Sequence, residues 1–197
     1  MNKFKISFFI ILFFCLKINT VKSQNDLYFN SFKKIYNDSN INYTLLTEIS
    51  NKLINIGELN NIDSLIYYGN IGLACVYENT EKQFEALKKY QKALIYSSSK
   101  NYFKNRTWLY LSISRKFYVF YCNEKAFEYI VRAERELKNF KKVIQEYRKY
   151  ENYIIQFKAT ILLDLNMLKI AKPLIDKLKE TQNSDNFKIN NLESIES

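Results

Sequence analysis

Paired carboxylates can share acid–base work, and VRAERELK (131–138) holds such an acidic pair in this 197-residue chain. Glu134 and Glu136 are interleaved there with Arg132, Arg135 and Lys138. Opposite charges at helical spacing pair along the surface, so the segment reads as a solvated charged face. The chain has no histidine. That removes the commonest general base, the Ser/His and Cys/His nucleophile pairs, and histidine-containing zinc sites. Its three glycines, Gly57, Gly69 and Gly72, form no glycine-rich phosphate loop. The residues therefore predict a protein that is not an enzyme and needs neither cofactor nor metal.

Between Glu81 and Lys116 stand nine bases, Lys82, Lys88, Lys89, Lys92, Lys100, Lys104, Arg106, Arg115 and Lys116, against the acids Glu81 and Glu85. A basic stripe is the electrostatic footprint of a nucleic-acid binder. No recognition-helix motif accompanies it, so a solvated outer face or loose attraction to an acidic surface is the expected reading. Nucleic acid is not an expected partner. Asn37, Asn42 and Asn105 begin N-x-S/T sequons, which matter only in a glycosylating host.

The first residues form a separate segment. MNKFK carries two lysines, Ile6–Leu16 is apolar except for Ser7, and KINTVKS follows. This is the order of a secretory signal peptide, with cleavage expected near Ser23/Gln24. A lipid-modified Cys15 is the rival reading, but bulky Phe13 and Phe14 precede it. The apolar stretch is too short to span a bilayer, which takes about 20 residues. Losing 1–23 removes four lysines and no acid, taking the formal charge from +10 to +6. The expected organisation is a leader over 1–23, a helical domain over 24–181 and a frayed tail over 182–197. The expected location is secreted or periplasmic, without stable membrane insertion after cleavage.

From Asp26 to about Thr181 apolar residues recur at three and four, the helical period. The pattern predicts eight helices, over 26–37, 42–57, 62–78, 81–99, 103–121, 124–138, 141–164 and 167–181. Thr80 with Gln83 fits a capping box, and Asn166 is placed to cap the last helix. Pro173 falls in the second turn of that helix and should kink it, unless the helix starts later with Pro173 in its first turn. Connections look short near 79–80, 122–123 and 165–166 and longer near 58–61 and 99–103, as in helical hairpins laid side by side.

The seven alanines carry the architecture. Taking Ala86, Ala126 and Ala171 as one equivalent point gives intervals of 40 and 45 residues. Twelve residues earlier stand Ala74, Ser114 and Ala159; seven later stand Ala93, Ala133 and Leu178. Large residues occupy the slots nine earlier (Tyr77, Phe117, Leu162) and four later (Tyr90, Ile130, Ile175). Small residues where two helices cross let the axes approach to the close end of the roughly 8–10 Å range, while large neighbours fill the flanking grooves. In this register Cys75 and Cys122 are offset by seven residues, about 10 Å of helix rise. That separation predicts two free, mostly buried thiols.

The pattern resembles the tetratricopeptide repeat. The resemblance rests on Leu73–Ala74–Tyr77 with Ala86–Tyr90–Ala93, then Ile113–Ser114–Phe117 with Ala126–Ile130–Ala133, and more weakly on Ala159–Leu162 with Ala171–Ile175. It covers about 70–180, with 26–58 as a further hairpin lacking the signature. The leading aromatic slot holds Asn70, Tyr110 and Ile155, the Leu slot of the third copy holds Lys158, and the closing proline is absent. The resemblance implies an all-α fold, a right-handed superhelical array of about four antiparallel helix hairpins (an α-solenoid). It also implies a concave groove lined by the first helix of each hairpin. Carried through the register, three stripes line that groove: Tyr68–Ile71–Cys75, Trp108–Leu111–Arg115 with Tyr118, and Tyr153–Gln156–Thr160.

The function that follows is an exported protein- or peptide-interaction module, with Trp108 as the expected anchor, since aromatics and Arg dominate binding energies most often. Similar arrays form the sensory halves of bacterial helix-turn-helix regulators, a role that here would require truncation or a separate partner. An accessory subunit of an envelope complex is the third reading.

Overall fold

The structure is a computed structural model that describes residues 26–97, 103–138 and 144–185. The expected leader, and the expected tail from residue 186 on, lie outside them. Among the described residues there are eight helices and no strand. They are α1 (26–36), α2 (Tyr43–Asn60), α3 (Asp63–Asn79), α4 (Gln83–Ile95), α5 (Phe103–Val119), α6 (Asn123–Lys138), α7 (Ile144–Asp164) and α8 (Leu168–Asp185). The fold is the expected all-α array of helices packed on their chain neighbours. It divides between Ser97 and Ser98 into two compact units, α1–α4 and α5–α8. No described helix is long and apolar enough to cross a membrane.

One turn recurs four times. Asn61, Glu81, Tyr121 and Asn166 all have φ between 54° and 59°. The amide after each donates to the carbonyl five residues back: Ile62 to Gly57, Lys82 to Tyr77, Cys122 to Phe117 and Met167 to Leu162, at 2.8–2.9 Å. This is the Schellman end of a helix, in which a left-handed residue lets the chain satisfy its last carbonyls and reverse. The last three turns are spaced 40 and 45 residues apart, the interval of the alanines, although the alanines played no part in locating them.

This turn changes several expectations. The α2–α3 connection is only Asn61 and Ile62, because α2 continues through the stretch near 58–61 that reads as a longer loop. Asn166 caps nothing; it is the left-handed residue that ends α7. The Thr80–Gln83 capping box does not form. With Glu81 left-handed, Lys82 becomes the residue that precedes α4, and it makes no side-chain cap. The Thr80 hydroxyl donates back to the Val76 carbonyl at 3.0 Å instead. Asn42 does cap α2, its side-chain oxygen accepting from the Leu45 amide at 3.0 Å. Helix α4 stops at Ile95, short of the expected 99, and Pro173 lies inside α8 as expected.

In the first unit, the α2–α3 crossing is built on glycine. A Cβ at Gly69 would lie 2.6 Å from both the Ser50 carbonyl and Ile54 Cγ1, and one at Gly72 would collide with the Ser50 hydroxyl and Phe32. Ser50 itself is fully buried. Ala74, Ala86 and Ala93 are buried where α3 meets α4, with Tyr90 filling the space beside them at 1% exposure. In the second unit, the Ser114 hydroxyl of α5 donates to the Ala126 carbonyl of α6 at 2.7 Å. Two small slots of the register thus meet face to face. All seven alanines are buried.

Candidate functional site

The three stripes do not share one fate. In the first unit Tyr68 is half-buried, its ring 4.8 Å from Phe29 and 6.0 Å from Phe32 of α1. Ile71 is buried. Cys75 is half-buried, its thiol pushed up by burial and then by the Glu78 carboxylate. Below it the Tyr90 hydroxyl donates to Glu78 at 2.7 Å. The Tyr36 phenol is pushed up to about 12 by burial, then by Cys75 and Glu78. Helix α1 is laid over the α3 stripe, which is spent on packing.

In the second unit, Trp108 is half-buried, Leu111 buried, Tyr118 half-buried and Arg115 exposed. Arg115 makes no ion pair among the described residues. On α7, Tyr153 is 39% exposed. Gln156 and Thr160 are half-buried, the Thr160 hydroxyl donating to the Gln156 carbonyl at 3.1 Å. The two stripes meet at Tyr118. Its ring stands edge-on to Phe157 of α7 with centroids 5.3 Å apart, and Tyr153 lies 6.3 Å from the same ring. The Tyr118 phenol lies beside the Asp164 carboxylate. Burial and then that carboxylate push the phenol up to about 12.

Phe157 and Asp164 are the residues that sequence reasoning missed. They stand four and eleven residues after Tyr153, a spacing that keeps them on its helical face. That signal was readable. Taking positions only by equivalence to the first two stripes passed over it.

The charged residues also sit differently from expectation. Glu134 and Glu136 do not form a solvated face; they tie helices together. Glu136 pairs with Arg106 of α5 at 3.2 Å, and Glu134 with Lys158 of α7 at 2.7 Å. Burial alone would raise the Glu134 carboxyl, but its bonds to Lys158 and Lys138 hold it below the usual carboxylate range. The basic run from Glu81 to Lys116 is not one solvated face either. Lys116 is buried and Arg106 is engaged with Glu136. Both Cys75 and Cys122 are free thiols. Cys122 is exposed and not buried, because it occupies the α5–α6 turn just after the left-handed Tyr121.

Chemically, this face offers aromatic rings, one guanidinium, one carboxylate and amide and hydroxyl groups. Such a surface is suited to holding a partner. Among the described residues no group of three or more His, Cys, Asp or Glu is placed to hold a metal ion. Fold and site together define an all-α array of helical hairpins with an aromatic face on α5 and α7. No family model matches the chain, and no curated protein or solved structure is similar enough to match.

Proposed function

We propose that the chain is an exported, non-enzymatic interaction module of tetratricopeptide-like hairpins, and that it holds a protein or peptide on the face formed by α5 and α7. The repeat reading is supported by three reversing turns at the alanine intervals and by the Ser114–Ala126 contact at a small-slot crossing. Export rests on the order of charged, apolar and polar residues over 1–23.

The observation that carries the binding reading is the aromatic run Trp108, Tyr118, Phe157 and Tyr153. These side chains are half-buried or exposed, and the buried crossings of the unit are made by other residues, Ser114, Ala126, Ala133, Ala159 and Ala171. Aromatic groups with an apolar body and a polar tip are the residue type that protein interfaces concentrate. In this reading the α5–α7 face is part of the concave side of the array. The first stripe, covered by α1, contributes structure only.

The test is a pull-down with the mature chain from its own cell envelope. Trp108→Ala should abolish capture of the partner and leave the helical circular dichroism spectrum and the melting temperature nearly unchanged. A large drop in melting temperature would assign Trp108 to the core and end the proposal for this face.

A further inference from the structure

A spot of negative potential lies at the end of α7. Asp164 is the last residue of that helix, where the aligned peptide dipoles leave partial negative charge. A carboxylate there is disfavoured, and the last turn of α7 has no basic residue to offset it. Asp164 is exposed and makes no ion pair among the described residues. The Tyr118 phenol beside it is neutral and leaves the carboxylate charge uncompensated. Helix α5 carries Lys116 in its last turn, but that side chain is buried and not displayed to solvent.

Aromatic faces lead up to this carboxylate. Tyr153, Phe157 and Tyr118 follow one another through ring contacts, and Tyr121, 91% exposed, stands at the turn that follows α5. The face of an aromatic ring is negative and attracts cations. Other rings of this chain already have a cation above them: Lys33 over Phe29 at 4.2 Å, Lys88 over Phe84 at 4.4 Å and Arg132 over Tyr129 at 5.2 Å. Among the described residues no cation lies over Tyr118, Phe157 or Tyr153.

We infer that this corner of the α5–α7 face receives a lysine or arginine side chain, carried on an otherwise apolar peptide segment of the partner. Tyr118 and Phe157 hold the aliphatic stem while Asp164 takes the charged head. Arg115, one turn before Tyr118, repels a second cation, so the site selects a single basic residue over a polybasic run. The positive overall charge, +6 without residues 1–23, works against such a partner. Recognition is therefore local, and long-range steering would favour the wrong sign. The inference rests on the interaction-face reading and deepens it by naming the chemistry of the occupant.

The experiment uses fluorescence anisotropy of the folded chain with three fluorescein-labelled Gly/Ser peptides containing Leu-Lys-Leu, Leu-Gln-Leu or Leu-Glu-Leu. The lysine peptide should bind about tenfold more tightly than the glutamine one, and the glutamate peptide most weakly. Asp164→Asn removes the charge at nearly unchanged size and should erase the lysine preference; Asp164→Lys should turn it toward glutamate. Equal binding of the three peptides, a lysine preference that survives Asp164→Asn, or no binding of the lysine peptide at millimolar protein each overturns the inference. Peptide binding without charge preference that is lost in Trp108→Ala would leave the interaction face standing and remove only its cation site.

Discussion

The α2–α3 seam and the α5–α6 seam solve the same problem with different residues. Both bring two antiparallel helices together through a Schellman turn, and both put a buried serine at the crossing. Ser50 on α2 meets glycine, at Gly69 and Gly72, while Ser114 on α5 meets Ala126 and bonds its carbonyl. Glycine in a helix interior costs about 0.5–1 kcal/mol relative to alanine through backbone entropy. The chain accepts that cost twice on α3, where even one methyl group would meet a backbone oxygen or a packed ring. Alanine is the better helix former, so it serves wherever the axes leave room for a Cβ. Residue size at the crossing therefore reports how close the two axes lie.

The units also differ in what covers the outer stripe of their first long helix. In the first unit α1 lays Phe29 and Phe32 against Tyr68. In the second, the α5 stripe meets the α7 stripe side by side, and Tyr153 stays 39% exposed. Equivalent stripes, each opening on an aromatic, are thus covered by α1 in one unit and left partly exposed, at Arg115 and Tyr153, in the other. Neighbouring helices decide which of the two a stripe becomes.

The strongest way to break the comparison is to enlarge the glycine seam. Gly69→Leu should destabilise the protein by about 3 kcal/mol, the upper end of overpacking costs, because the Ser50 carbonyl is backbone and cannot turn aside. Urea denaturation measures it. A gain instead of a loss, as at a surface helix glycine, would mean that α2 and α3 are not in close contact. Ala126→Leu tests the alanine seam and should cost less, about 2 kcal/mol. Alanine already holds the axes one methyl group apart, so the added volume has more room to spread. If Ala126→Leu proved the costlier of the two, the size-reports-distance argument would be reversed.

Much of this was legible in the sequence, and the failures have physical causes. Apolar spacing located all eight helices, and the alanine intervals matched those of three reversing turns, because both follow from one helix-packing geometry. The α2–α3 seam was missed because glycine was weighed for phosphate binding. Gly69 and Gly72, three apart and so on one helical face, carry the same small-slot message as the alanines. Asn166 was assigned to the start of the following helix because asparagine serves both as an N-cap and as a left-handed residue, and spacing alone does not separate the two roles. The α5–α7 corner depends on Phe157 and Asp164 meeting Tyr118 across a helix pair, which periodicity within one helix does not encode.

The smallest expected effect separates the four turns from one another. Asn61 and Asn166 occupy the left-handed position with a residue type that tolerates it. Glu81 and Tyr121 do so with side chains whose Cβ crowds the following carbonyl. Tyr121 is 91% exposed, so replacing it sacrifices almost no packing. Tyr121→Gly should therefore stabilise the chain by about 0.5–1 kcal/mol, as relief of the left-handed strain outweighs glycine's greater freedom in the unfolded state. Asn166→Gly at the equivalent turn should change stability by only a few tenths of a kcal/mol or so, since asparagine is already accommodated there. Both are read as shifts in the urea midpoint at unchanged slope. A gain at Tyr121 without one at Asn166 would identify an exposed aromatic kept at a conformational cost. That is the expected mark of a residue retained for contact with a partner. If instead Tyr121→Gly lowers stability, the tyrosine is packed in solution, and it drops out of the aromatic run that leads to Asp164.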